Sequence, residues 1–197
     1  TSSTYITTSS PKLFGAVSSS TDTLGRVTKY FYNTESTYEY GDLAAYICVA
    51  DGTGTCYTYD VLGNLTEIIP CKYTSTSNTY TTISGKGIVE YEYKTTSDPR
   101  NLLHSITTPT TTYLFDYDTY GNNQSIIIDS KSNSEEDRTL ASYEYNDKNG
   151  KLKKITYGNG FIVEYVYDEL DNIDEVWYNG VKTYKYTYTA YGQLYRF

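Results

Sequence analysis

The plainest pattern along the chain is a two-residue alternation in which tyrosine returns at every second position and then stops at a turn. Tyr165-Val166-Tyr167 runs into Asp168, and the same order recurs at Tyr57, Tyr59 and Asp60 and, with Phe115 first, at Tyr117 and Asp118. Tyr143 with Tyr145 and Tyr186 with Tyr188 keep the alternation without the aspartate. Side chains alternate between the faces of a strand, so both rings of each pair lie on one face. The aspartate then opens a type I turn, where its carboxylate can accept backbone N–H groups two residues on. Glycine three positions after the turn's first residue, as at Gly63, Gly121 and Gly192, takes the left-handed conformation that closes a three-residue hairpin with a G1 bulge. The turn at Gly150 is one residue longer, and Asp171 stands where glycine stands elsewhere.

This turn chemistry predicts cross-strand partners. Residues six apart should face each other: Tyr59 with Leu65, Tyr167 with Ile173, Tyr188 with Leu194 and Tyr117 with Asn123. Each aromatic–aliphatic pair adds about 0.2–1 kcal/mol over an alanine pair. Return turns are expected at Gly158-Asn159-Gly160 and at Asn179-Gly180, a strong hairpin signal. Asp168 and Thr189 lie 21 residues apart, so one repeat is two strands. The pattern predicts an all-β fold, an antiparallel meander of tyrosine-rich β-hairpin repeats in a curved or spiralling sheet. It is expected as one domain over 1–197, with a Thr/Ser-rich lead-in at 1–19, irregular repeats at 20–139 and regular repeats at 140–197. The Thr/Ser-rich tracts 1–10, 18–23 and 74–84 read as loops, and the charged stretch 129–138 as a loop or a long hairpin tip.

Composition supports this class. The chain of 197 residues has 26 tyrosines and no methionine. Thr and Ser are abundant while strong helix formers are sparse, which favours pleated surfaces. A net charge of −8 offers no basic stripe for nucleic acid and disfavours anionic membrane surfaces. No run approaches the ~18 apolar residues of a membrane-spanning helix. Without a signal peptide or initiator methionine, the chain is expected to be a segment of a longer protein.

Candidate chemistry is sparse. In ICVADGTGTCYTY a hairpin around Asp51–Gly54 would set Cys48 opposite Cys56, leaving two readings: a cross-strand disulfide, or two reduced small apolar residues, the latter favoured. His104, the single histidine, lies in an apolar stretch with no nucleophile motif nearby and reads as structural. The acidic runs at 135–137 and 168–174 lack the spacing of a calcium loop and read as solvated turn charges. Trp177 reads as a core or cross-strand aromatic. No catalytic, cofactor or metal-ligating residue is assigned.

The motifs Tyr59-Asp60-Val61-Leu62-Gly63-Asn64-Leu65, Tyr117-Asp118-Thr119-Tyr120-Gly121-Asn122 and Asp22-Thr23-Leu24-Gly25-Arg26-Val27 together resemble the YD-repeat, or RHS-repeat, family. The resemblance covers most of residues 20–197. It implies hairpins joined edge to edge into a sheet that spirals into a hollow shell. In bacterial members, including the Tc-type toxin shells, the shell encloses a C-terminal toxin; animal teneurins carry a related barrel outside the cell. The implied role is a non-enzymatic scaffold segment of a secreted or bacterial cell-surface protein, with flanking repeats and an enclosed toxin or cargo as partners. At 197 residues the chain would be an open part of such a spiral, and nothing in it matches the region that frees the toxin. The alternative is an adhesion module that offers tyrosines to a glycan or a protein. Against it stands a simpler expectation, that the rings pack the sheet while their hydroxyls reach solvent.

Overall fold

The computed structural model describes residues 1–7, 15–32, 43–48, 51–83, 85, 87–94, 100–129 and 137–197. Every regular element among them is a β-strand. The chain divides into two compact units, Thr1–Glu92 with Ile106–Thr110, and Tyr93–Ser105 with Thr111–Phe197.

In the first unit β1 (Ser2–Tyr5), β2 (Val17–Thr21), β3 (Val27–Tyr32), β4 (Leu43–Cys48), β5 (Thr53–Tyr59) and β6 (Leu65–Thr74) pair in chain order, each antiparallel to the last. The next two strands share the outer edge of β6: β7 (Thr79–Thr82) pairs with Cys71–Thr74, and β8 (Val89–Lys94) pairs with Glu67 and Ile68. Ile47, Cys56 and Cys71 form the buried centre, with Phe31, Ile69, Tyr73 and Tyr80 packed around them.

The second unit is a regular meander that takes in β9 (Leu102–Thr107) up to Ser105, then β10 (Thr112–Tyr117), β11 (Asn123–Asp129), β12 (Arg138–Tyr145), β13 (Leu152–Tyr157), β14 (Ile162–Tyr167), β15 (Ile173–Tyr178) and β16 (Val181–Lys185). A short ribbon, β17 (Thr187–Tyr188) with β18 (Leu194–Arg196), follows. Register separates two faces. Tyr143 faces Ile155, Ile155 faces Val163, and Tyr165 faces Val176, which builds a tyrosine-paved core with Ala141. The other face carries the row Glu144, Lys154, Glu164, Trp177 and Lys182. Thus alternation along each strand becomes an apolar face and a charged face.

The expected pairs form: Tyr59 with Leu65, Tyr117 with Asn123, Tyr167 with Ile173 and Tyr188 with Leu194. In each the register slips by one just before the tyrosine, the bulge that a three-residue loop requires. Tyr145 pairs with Leu152 across the longer turn. Asn179 and Gly180 both take positive φ, 48° and 77°, the signature of a type I′ hairpin turn.

Three expectations differ from the structure. The Thr/Ser-rich tracts are not all loops, since β1, β2 and β7 form within them. Threonine suits a pleated backbone, and an edge strand needs no apolar side chain to be paired. Cys48 does not face Cys56: the turn closes at Asp51 and Gly52, setting Cys48 opposite Thr53 and Cys56 opposite Ala45. Gly52 has φ of 70°, and Thr53 N–H donates to Asp51 Oδ1 at 2.9 Å, so the turn ends before Gly54. Cys56 is a free thiol. The side chain of Cys48 and the charged stretch 130–136, with its Glu135 and Glu136, lie outside the described residues. The third difference concerns the tyrosine hydroxyls.

Candidate functional site

The repeated loop is a self-contained hydrogen-bonding unit. Asp60 Oδ1 accepts from Leu62 N–H at 2.8 Å and Asn64 N–H at 2.9 Å, while Asn64 Nδ2 donates to Oδ2 at 2.8 Å. Asp118 does the same with Tyr120 and Asn122, at 2.8, 2.9 and 2.8 Å. Asp168 accepts from Leu170 N–H at 2.9 Å and from Asn172 N–H at 2.8 Å. In the loop at Asp22, Arg26 replaces the asparagine and its Nε reaches Oδ2 at 2.6 Å. The glycines sit where expected, Gly63 at φ 82°, Gly121 at 93°, Gly150 at 68° and Gly192 at 74°, and Asp171 takes the same region at 63°. The residue after the glycine is therefore part of the turn, reaching back to the oxygen that the backbone leaves open.

These bonds hold the carboxylates ionised. The Arg26 guanidinium beside Asp22 lowers its pKa, as the Asn122 amide does for Asp118, and the backbone N–H of Asn172 leads the same effect at Asp168. At Asp60 slight burial works the other way, but the Asn64 amide and N–H outweigh it and the pKa is lowered. A carboxylate already committed to its own loop is a poor general base or metal ligand.

Five tyrosines that end a strand reach back to the previous repeat. Tyr32 donates its hydroxyl to Val17 O at 2.8 Å, and Tyr117 to Leu103 O at 2.8 Å. Tyr145 donates to Asn123 O at 2.9 Å, Tyr167 to Leu152 O at 2.7 Å and Tyr188 to Ile173 O at 2.8 Å. Each acceptor is the first or second residue of a strand leaving the preceding turn. Contrary to expectation, these hydroxyls serve the fold rather than solvent. Burial raises the pKa of all five tyrosines. The separation of 14 to 22 residues hid this link. Its available signal was that tyrosine keeps the position before the loop whatever residue it faces, Leu65 or Asn123.

Further contacts tie neighbouring loops together. Arg100 donates to the carbonyls of Asp118 and Thr119 at 3.3 and 3.0 Å. Lys151 donates to the Asp171 carbonyl and stands 5.3 Å from the centre of the Tyr167 ring, and Asn149 Nδ2 donates to Asp171 Oδ1 at 2.6 Å.

Elsewhere the candidate chemistry resolves into structure. His104 lies in β9 with a buried Nδ1 lacking a hydrogen-bond partner; Ser105, the next residue on the strand, points to the opposite face, so the two do not pair. Asp174 and Glu175 engage Lys185 and Lys182 at 2.6 and 3.1 Å, and Trp177 Nε1 donates to Glu175 at 2.9 Å. No cluster of three or more metal-ligating side chains occurs among the described residues. No helix among them is long and apolar enough to cross a membrane. A groove of about 800 Å³ is lined by charged and polar groups such as Asp118, Glu144 and Lys153, and a smaller open one of about 520 Å³ by Tyr157, Asn159, Phe161, Val163, Tyr165 and Tyr178 without a charged group.

No family model and no curated protein matches the chain. Solved structures do. The crystal structure of TcdB2-TccC3-Cdc42 matches 98% of this chain and 10% of its own, at 15% identity and a TM-score of 0.63. TcdB2-TccC3 without its hypervariable C-terminal region matches over the same shares at 14% identity and a TM-score of 0.65. The chain therefore spans about a tenth of the length of the chains it resembles and shares their fold. The expectation of an antiparallel all-β fold built from hairpins holds, and these solved structures share that fold.

Proposed function

We propose that the chain is one non-enzymatic scaffold segment of a YD-repeat protein, a single stretch of repeats in the wall of a β-shell around a toxin or other cargo. The observation that carries this reading is the clasp, made by five strand-ending tyrosines, from the hydroxyl to the carbonyl leaving the previous turn. It makes each of these repeats a fastening for its neighbour, the economy of a repeat architecture in which stability comes from adjacent units. The same bonds consume the chemically versatile groups. The loop aspartates hold their own turns, and the tyrosines hold the backbone. A secreted or cell-surface bacterial protein is the setting this implies, with flanking repeats and the enclosed chain as partners.

The test is limited proteolysis of the full-length protein that carries these repeats. Under this reading the enclosed polypeptide resists protease while the repeats are folded and becomes sensitive when residues 140–197 are deleted. Ready digestion of that polypeptide beside intact repeats overturns the shell.

A second reading is favoured by the charge-free groove at Tyr157, Phe161, Tyr165 and Tyr178. Aromatic faces with hydroxyl and amide groups at their rims suit the apolar face of a sugar ring or a neutral stretch of a partner protein. Glycan-array binding that is lost in Tyr157→Ala would move adhesion ahead of enclosure.

A further inference from the structure

Among the described side chains of the first unit, Cys56 and Cys71 are buried thiols, 3% and 1% exposed, and they belong to one side-chain cluster. Register explains how two distant positions meet. Cys56 faces Ile69 and Gly54 faces Cys71, so Cys71 lies two residues beyond the partner of Cys56 on the adjacent strand. An even offset keeps both side chains on the same face, as diagonal neighbours. Both sulfurs belong to the same packed centre, and the nearness of Cys71 adds to the burial that raises the Cys56 pKa. Ile47, Phe31, Tyr73 and Tyr80 close over them, and no role in the loops or clasps engages either sulfur.

We propose that Cys56 and Cys71 are a disulfide-forming pair whose oxidation state is fixed when β5 and β6 fold. The reaction is exchange with a small-molecule disulfide. One cysteine loses its proton and attacks a reagent sulfur, releasing one reagent thiolate, which takes up a proton. The second cysteine thiolate then attacks the mixed disulfide and expels the other reagent thiol. Two protein thiols are oxidised to one disulfide, and one reagent disulfide is reduced to two thiols.

Timing follows from burial. In the unfolded chain both thiols ionise near the ordinary cysteine range and meet reagent freely. In the folded chain both sulfurs are shielded, at 3% and 1% exposure, so the reagent is excluded, and burial with Cys71 beside it raises the Cys56 pKa further from the range of a reactive thiol. A reduced pair therefore stays reduced, and an oxidised pair stays oxidised. Extracellular folding conditions would favour the oxidised form. The inference is independent of the shell reading.

The experiment refolds the whole 197-residue chain with oxidised and reduced glutathione, and separately adds the same mixture after reductive refolding. Digestion before aspartate then cuts ahead of Asp51 and Asp60, which places Cys48, Cys56 and Cys71 in separate peptides. The expected result of oxidative refolding is a linked pair of peptides carrying Cys56 and Cys71, with alkylatable thiols falling from three to one, at Cys48. Addition after folding is expected to leave Cys56 and Cys71 alkylatable once the protein is denatured. A link involving Cys48, or no protein disulfide from oxidative refolding, overturns the pair. Equal linkage in both arms overturns the timing. Cys48→Ser, tested alongside, is expected to leave the Cys56–Cys71 link intact.

Discussion

The two units hold their sheets in different ways. In the first, Ile47 at 0% exposure and Cys71 at 1% form a small centre that is wholly shielded. In the second, Ala141, Ile155, Val163 and Val176 retain between 3% and 9%, and the fastening is spread over the clasps of Tyr117, Tyr145, Tyr167 and Tyr188. A shielded centre concentrates its loss in one side chain, because a hole there cannot be filled by water or by collapse. Distributed clasps divide the loss into similar small portions, one per repeat. The comparison predicts which substitutions hurt most and how they combine.

Ile47→Ala should have the largest effect, about 2–5 kcal/mol of destabilisation from lost transfer energy and the cavity left behind. Ile155→Ala, at a site already 9% exposed, should fall at or below the lower end of that range. Urea unfolding monitored at Trp177 and by far-ultraviolet circular dichroism measures both. Equal losses would erase the contrast between the units. Next comes removal of single clasps. Tyr167→Phe keeps the ring and deletes the donor to Leu152 O, at a cost of about 0.5–1.5 kcal/mol. Tyr117→Phe should cost a similar amount, and because their acceptors differ the double variant should add to within about 0.5 kcal/mol. Tyr191→Phe, on a side chain 92% exposed, is the control and should stay within about 0.5 kcal/mol of the parent. A double variant much worse than the sum would show that the clasps act as one network.

The parts of this architecture that were legible from sequence are short-range. Asp118 and Gly121 lie three residues apart, and that spacing alone sets Tyr117 opposite Asn123. Even the substitution of Asp171 for glycine preserved the geometry, because aspartate tolerates the left-handed region. What escaped depends on contacts between repeats or on which of two nearby glycines turns the chain. The bond from Tyr145 to Asn123 O spans 22 residues and a whole hairpin, so no local rule contains it. At 51–54 both Gly52 and Gly54 could close the hairpin, and the choice of Gly52 moved the partner of Cys56 from Cys48 to Ala45. Strand β1 was obscured because its Ser and Thr side chains carry no apolar alternation, and its pairing with β2 rests on backbone bonds and on Thr4 reaching Ser18 and Ser19 at 2.8 and 2.7 Å.

The loop carboxylates give both units a shared sensitivity to acid. Asp22, Asp60, Asp118 and Asp168 all have folded-state pKa values below the unfolded value of about 3.9. Between the folded and unfolded values the unfolded chain binds more protons, so stability falls as pH falls through this window and is fully present above it. Asp118→Asn removes one contributor, so its loss of stability on acidification should be shallower than that of the parent. Urea midpoints at intervals from pH 6 down to pH 2 provide the measurement, and parallel curves would remove the loop carboxylate from the account of acid sensitivity.

The smallest effect separates the loops themselves. At the last loop Thr189 takes the place of the aspartate, and its Oγ1 accepts from Tyr191 and Gln193 N–H at 3.3 and 3.2 Å, against 2.8 and 2.9 Å at Asp118. Thr189→Asp supplies a charged acceptor to the same two donors, and charge-assisted bonds are shorter and stronger than neutral ones. The gain should be about 0.5 kcal/mol at neutral pH, because the site is exposed and water competes for the same donors. It should vanish near pH 3, since a carboxylate favoured by the fold contributes only while it is ionised. A gain that survives at pH 3 would trace to backbone preference at the turn rather than to the carboxylate. No gain at either pH would mean that the spacing of the loop, and not the charge of its first residue, is what each repeat requires.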